Sequence, residues 1–311
     1  MTDPVGGDAP RSTAEIRARA ASLPPRRLAV AMSVGEPTAR AVIEAHHGGL
    51  ARPVLVGPTE TVREELRRLG ADPAGFEIVD ACDPEGAART AVSLVAGGHA
   101  DLLLKGAVPT SVLMRAVLDP HHGLRAGRLL SDVFLFDFGP GSGRRLVGIT
   151  DGGVVPRPSP EQKREILRNG VETFRALGIA APRVALVAAV ETVTPTFPST
   201  GEAAELARVS GEQIGGEIVV EGPMGLDLAL SPDAVAAKSY RTRIGGRADL
   251  LVFPDLESAN LAAKAVEYAV PLEPGHVIAG ARAPVLIPSR SETAEARLTS
   301  IALGALLAPS G

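Results

Sequence analysis

Apolar and polar positions alternate along this chain in blocks with two different periods. Leu28 to Met32 is a short apolar run, and Pro37 to His47 carries apolar residues at helical spacing. Pro53-Val-Leu-Val-Gly57 reads as a strand, and Pro58 opens a helix over Thr59 to Leu69. Phe76 to Asp80 and Asp101 to Gly106 are strand-like, followed by helical patterns over Pro84–Ala96 and Ser111–Leu118. Strands alternating with helices of roughly ten to fifteen residues predict βαβ units and a largely parallel sheet. The middle differs. Val133–Phe138 and Arg145–Thr150 flank Gly139-Pro-Gly-Ser-Gly143 and predict a hairpin. That loop lacks a phosphate-loop lysine and joins two strands, so a turn is the better reading. A long helix over Pro160–Leu177 with Gly178 as its stop follows, then strand patterns at Arg183–Val190, Ile218–Val220 and Asp249–Phe253. Helices are expected over Glu202–Val209 and Leu256–Ala269, and a strand over His276–Gly280. Val285 to Ile287 is a last buried strand, stopped by Pro288. Leu298, Ile301, Ala302, Ala305 and Leu306 then mark one face of a terminal helix. Residues 1 to about 24 read as a loose tail with a short helical patch from Ala14.

Composition narrows the picture. A chain of 311 residues is long enough for about two domains. A net charge of −4 gives no broad basic surface for nucleic acid or anionic membrane. Seven Phe, two Tyr and no Trp leave little for base stacking, so the core must be aliphatic. Cys82 is alone, which excludes an internal disulfide and suits a reducing cytoplasm. The first residues are polar and lack the apolar segment of a signal peptide, and no apolar run is long enough to span a bilayer. The six His residues show no metal-ligand spacing, so no metal site is expected.

Polar residues collect where the predicted strands end. Lys105-Gly106 leads to Thr110, Ser111 and Arg115; Arg125-Ala-Gly-Arg128 leads to Ser131; Thr150-Asp151-Gly152-Gly153 follows the hairpin; and Ser289-Arg290 follows the last strand. In open parallel sheets ligands bind beyond the carboxyl ends of strands. Unpaired N–H groups at helix starts, joined by Arg or Lys, favour an anion such as phosphate. Ser289-x-x-Glu292 also matches a capping box, which would make Ser289 a structural cap.

Taken together, three blocks resemble the phosphate acyltransferase family of phosphate acetyltransferases and phosphate butyryltransferases. They are Glu221-Gly-Pro-Met-Gly-Leu-Asp227, Ala248-Asp-Leu-Leu-Val-Phe-Pro-Asp255-Leu-Glu-Ser-Ala-Asn260 and Pro288-Ser289-Arg290. Leu113-Met-Arg115, Gly123-Leu-Arg125-Ala-Gly-Arg128-Leu-Leu-Ser131 and Ile149-Thr-Asp151 look closer to the butyryl branch. The resemblance implies an α/β fold of two αβα domains with largely parallel sheets and an interdomain cleft, in the style of isocitrate and isopropylmalate dehydrogenases. The chain ends, 1–138 and 277–311, would form one domain and 139–276 the other. It implies reversible transfer of a short acyl group between coenzyme A and inorganic phosphate. No metal or bound cofactor would take part, and the protein would be a homodimer or higher homo-oligomer. Ser289 would donate to the oxyanion, Arg290 would hold the phosphoryl group and Arg115 would be a second anion ligand, with Arg128 a further candidate. Glu292 joins the catalytic set, and Thr110, Ser131, Asp151 and Asn260 the substrate-binding set.

One departure stands out. The acetyl branch carries a carboxylate seven residues after the serine as general base, about two helical turns on and so on the same face. Here that position is Ala296; Glu295 is rotated about 100° away, and Glu292 lies closer to the serine face. Loss of a general base costs about 10²–10⁴-fold. Two other readings remain open at this stage. One is a metal- and NAD-dependent decarboxylating dehydrogenase, for which no cluster of carboxylates is found. The other is a non-catalytic sensor of coenzyme A or phosphate.

Overall fold

A computed structural model of the protein describes residues 9–139, 141–270 and 272–309. The tail expected over the first residues lies outside these as far as residue 8, as does Pro140 of the Gly-rich loop. The chain divides into two compact units. An outer unit is made of Thr13–Arg128 and the segment from Glu273 onward; a middle unit is made of Leu129–Leu272 with residues 9–12.

The outer unit begins with α1 (Thr13–Ala21), β1 (Arg26–Ala31), α2 (Glu36–His47), β2 (Ala51–Gly57), α3 (Thr59–Arg68), β3 (Glu77–Asp80), α4 (Pro84–Ala96), β4 (Leu102–Lys105) and α5 (Thr110–Val117). In the middle unit follow β5 (Ser131–Phe138), β6 (Arg145–Thr150), α6 (Pro160–Ala176), β7 (Arg183–Val187), α7 (Pro198–Ile214), β8 (Val219–Met224), α8 (Leu226–Leu230), α9 (Pro232–Ala237), β9 (Leu250–Val252) and α10 (Leu256–Ala269). The chain then returns to the outer unit with β10 (Gly275–Ala279), β11 (Val285–Leu286) and α11 (Ala294–Leu307).

The outer unit's strands run in the order β3-β2-β1-β4-β11-β10, parallel except for β10. Leu28–Ala31 and Leu102–Leu104 are fully buried, as central strands covered on both faces must be. Each of the Leu and Val side chains among them contributes about 1.5–3 kcal/mol by leaving water. Helices α1, α2 and α11 pack together, while α4 packs on β1 and α5. The caps explain where helices begin. Asp83 accepts from the Gly86 N–H at 2.8 Å with Pro84 in the first turn, so α4 starts where the sequence predicts.

The middle unit's strands run β5-β6-β9-β7-β8, with β5 and β6 antiparallel and the rest parallel. The hairpin explains the division of the chain. β5 pairs with β6 over Phe134–Phe138, which keeps the hairpin in one unit: the units part after Arg128 and not after Phe138, and again after Leu272 and not after His276. Ser159 and Gln162 form a full capping box at the start of α6. Mid-helix Gly170 lets α6 lie close on the sheet, because a Cβ there would sit 2.5 Å from Leu250 Cδ2. The two short helices α8 and α9 have no counterpart in the sequence-based expectation.

Candidate active site

In the outer unit β4 and β11 are parallel neighbours, with Leu103 opposite Val285 and Leu104 opposite Leu286. Their exits therefore open side by side. Lys105 and Gly106 leave the first; Ile287, Pro288, Ser289 and Arg290 leave the second. Gly106 is required by packing, since a Cβ there would lie 2.1 Å from the Met32 carbonyl oxygen. The Gly106 and Ala107 N–H groups donate to the Ala31 and Met32 carbonyls at 2.9 and 2.8 Å, which fixes the β4 exit against that of β1.

Ser289 is held by its backbone from two directions. Its N–H donates to Glu292 Oε1 at 2.5 Å, and its carbonyl accepts from Arg297 Nη2 at 2.7 Å. Both side chains are buried, Glu292 4 % and Arg297 5 % exposed. His276 on β10 places Nε2 3.6 Å from Glu292 Oε1. The Ser289 hydroxyl lies 3.2 Å from that of Ser291 and Ser289 is half-buried, while Arg290 is exposed.

This geometry corrects the expectation that Ser289 caps the last helix. Thr293 is the N-cap, accepting from the Ala296 N–H at 3.1 Å, and α11 starts at Ala294 after a turn at 290–291. Half of the capping box exists, the reach of Glu292 back to Ser289, but it closes a turn and not a helix. The same-face relation between Ser289 and Ala296 therefore fails, because Ser289 is not on the helix. Ala296 is buried and Glu295 is exposed in the first turn.

Lys105, which the sequence places among the polar strand exits, is a buried cation. Burial, then the positive charges of Arg297 and Arg290, lower its pKa, and Glu292 opposes them. Burial likewise lowers that of Arg297, offset by Glu292. Three cations around one carboxylate leave positive charge in excess at these strand exits. Thr110 is the exposed first residue of α5 and Arg115 lies exposed in its last turn. Arg128 is half-buried; the loop before it is fastened to the segment after β10 by Arg282, whose N–H donates to the Leu124 carbonyl at 2.9 Å and whose guanidinium donates to that of Gly123.

Ser131, Asp151 and Asn260 belong to the middle unit, at the edge where β5 begins and β6 ends. Asp151 accepts four backbone N–H bonds, from Asp132 (3.0 Å), Gly153 (3.0 Å), Val154 (3.1 Å) and Val155 (2.8 Å). Burial, with the Asp132 charge, still raises its pKa against those bonds. The Ser131 hydroxyl is fully buried and accepts from Asn169 Nδ2 at 2.9 Å. Asn260 Nδ2 donates to the Gly152 carbonyl at 3.0 Å. The polar groups of these three shape the Asp151–Val155 loop and its support. Among the described residues no three His, Cys, Asp or Glu side chains gather as a metal site, and no helix is long and apolar enough to cross a membrane.

A hydroxyl and a guanidinium thus follow one another at paired strand exits of an α/β unit, where positive charges outnumber negative ones. The chain belongs to the phosphate acetyl/butaryl transferase family, whose model matches residues 85–305. It is 37 % identical over 295 residues to a phosphate butyryltransferase of Clostridium beijerinckii, covering 94 % of this chain and 97 % of the relative. It is 38 % identical over 281 residues to a phosphate acetyltransferase of Rhizobium meliloti, covering 90 % and 88 %. The crystal structure of a branched-chain phosphotransacylase from Enterococcus faecalis superposes with a TM-score of 0.81 at 29 % identity, over 91 % of this chain and 98 % of that one.

Proposed function

We propose that the protein is an enzyme that moves a short acyl group, butyryl- or acetyl-like, reversibly between coenzyme A and inorganic phosphate. A phosphate oxygen attacks the thioester carbonyl, the C–S bond breaks, and acyl phosphate and coenzyme A thiolate separate. The reverse direction starts from the thiolate, which is strongly nucleophilic even where it is the minor form. Both directions pass through an oxyanion, and a positioned donor to it is worth about 3 kcal/mol. The observation that carries this reading is the double clamp on the Ser289 backbone, which aims a half-exposed hydroxyl beside Arg290. In this reading Ser289 donates to the oxyanion and Arg290 holds the phosphoryl oxygens as a planar fork. Arg115, Arg128 and Thr110 are further substrate contacts. Glu292 acts through Ser289 as a positioning residue, since its carboxylate is buried and already engaged. Ser131, Asp151 and Asn260 act indirectly, by building the loop after β6.

No bound cofactor or metal ion takes part in this scheme, and coenzyme A is a substrate. Exposed Leu261 and Tyr268 on α10, with Val270 just beyond it, fit a contact between copies, so a homodimer or larger homo-oligomer is part of the proposal. The lone Cys82 fits a reducing compartment, so a cytoplasmic location is part of the proposal.

The test is direct. Purified protein given butyryl-CoA or acetyl-CoA should release free thiol in proportion to added phosphate. Absence of phosphate-dependent thiol across short acyl chains would reject the proposal. Coenzyme A binding by calorimetry without turnover would make the protein a sensor instead.

A further inference from the structure

The side chain of Lys105 is the least satisfied charge at these strand exits. It is 5 % exposed, and among the described hydrogen bonds its ammonium makes one, at 3.5 Å to the carbonyl of its own neighbour Gly106. An ammonium carries three donors, and that distance is well beyond the usual 2.7–3.2 Å range of N–H···O bonds. A buried charge is ordinarily paired and hydrogen-bonded. The charges that act on Lys105 are Arg290 and Arg297, which repel it, and Glu292, which attracts it. Glu292 is already shared, holding the Ser289 N–H and facing His276. Arg297 is in the same condition: its Nη2 serves the Ser289 carbonyl while its buried Nε finds no hydrogen-bond partner. The cluster as it stands is short of negative charge. A phosphate dianion would balance the two positive charges that Glu292 leaves over, and would offer the acceptors that Lys105 and Arg290 lack. Exposed Arg290 and half-buried Ser289 give such an anion a way in from solvent.

We propose that Lys105 is a phosphoryl ligand of this enzyme, its ammonium binding the orthophosphate or acyl phosphate together with the Arg290 guanidinium at the adjoining exits of β4 and β11. The site is built for this by the strand pairing that brings the two exits together and by Gly106, whose missing side chain lets the β4 exit pack down on Met32. Glu292 and Arg297 hold the cluster together before the anion arrives. The assignment rests on the acyl-transfer reading for its substrate, yet anion binding is measurable without any turnover.

The experiment uses inorganic phosphate and the whole protein. Thermal unfolding of the wild type should shift upward with millimolar orthophosphate relative to chloride at equal ionic strength. Lys105→Met should lose that shift. Without phosphate it should melt at or above the wild type, because a buried unpaired cation has been replaced by an apolar side chain of similar length. Lys105→Arg, which keeps the charge, should keep most of the shift. In steady state Lys105→Met should raise the KM for phosphate about 10–100-fold, the range of a lost charged hydrogen bond, with little change in that for acyl-CoA. If Lys105→Met fails to fold, Lys105→Gln carries the same readouts. The assignment is overturned if the wild type shows no phosphate shift, if the Met or Gln variant keeps it, or if both variants fail to fold. It is also overturned if Met and Arg variants alike lose turnover while keeping the phosphate shift, since the lysine would then be a proton acceptor. A Lys105-dependent phosphate shift in a protein that releases no thiol would leave the anion site standing and remove the acyltransferase reading alone.

Discussion

Replacing Glu292 by Gln tests the clamp on Ser289 without changing the volume of the side chain. The carboxylate is nearly fully buried, with Oε1 2.5 Å from the Ser289 nitrogen and 3.6 Å from His276 Nε2, and with Oε2 lacking any hydrogen-bond partner. The amide oxygen of Gln can still accept from Ser289, so the bond weakens from a charged one of about 1.5–3 kcal/mol to a neutral one of about 1 kcal/mol. The substitution also removes the negative charge of Glu292 that acts on Lys105 and Arg297. Breaking a buried ion pair outright costs about 3–5 kcal/mol, which sets the ceiling. The expected loss is about 2–4 kcal/mol, or a fall of roughly 5–15 °C in the transition that unfolds the outer unit. Calorimetry is the appropriate assay, because two units need not melt in one step. Turnover should also fall, but by no more than Ser289→Ala itself, since Glu292 acts through that residue. The double variant should then lose little more than Ser289→Ala alone. Wild-type melting together with wild-type kcat would refute the clamp, and additive losses in the double variant would show that the two residues act separately.

Ser289→Ala should lower kcat roughly 10²–10³-fold and move stability by no more than about 0.5 kcal/mol, because among the described hydrogen bonds its hydroxyl is paired with that of Ser291 at the surface; undiminished turnover would remove the hydroxyl from the reaction. Gly106→Ala forces a Cβ to 2.1 Å from a backbone oxygen and should cost about 1–3 kcal/mol or more, read as a lower melting temperature; an unchanged one would contradict the close approach of β4 to β1. Lys105 supplies a pH dependence. Its folded-state pKa lies below the ordinary 10.5, so the folded protein binds fewer protons than the unfolded chain between those values. The penalty is fully present below the folded-state pKa and is relieved as pH rises from there towards 10.5. Denaturant titrations over that range should show wild-type stability rising relative to Lys105→Met, and a flat difference would count against the shift.

The alternation of apolar runs and amphipathic stretches placed most elements because their signals are local: Asp83-Pro84 caps α4, and Gly139–Gly143 separates two strands that pair. The site was legible only in outline. Ser289-x-x-Glu292 satisfies the pattern of a capping box, and half of the box forms. Nothing local tells that Thr293, four residues on from Ser289, is the cap that starts the helix. Asp151 and Ser131 look like ligands in sequence because both are polar at a strand end. Their partners, the N–H groups of 153–155 and Asn169, become visible only when the loop and α6 are folded against them. Arg297, which no motif in the sequence singles out, is buried and donates to the Ser289 carbonyl. Lys105 closes a buried strand, and its role depends on which strand lies beside it, a long-range pairing that one sequence does not disclose.

The strand that completes the outer sheet between β4 and β10 is β11, made last of all the strands, while the segments that flank the middle unit are separated by Leu129–Leu272. At about 5–20 residues per second, a ribosome spends roughly 7–29 s between finishing Arg128 and reaching Glu273. During that time the nascent chain carries an apolar β4 edge that has nothing to pair with. The middle unit, by contrast, is continuous from Leu129 and has all its strands as soon as it is translated. The middle unit's strands are therefore complete in the nascent chain before the outer sheet's, whose β4 edge gains its neighbour only when β11 is made.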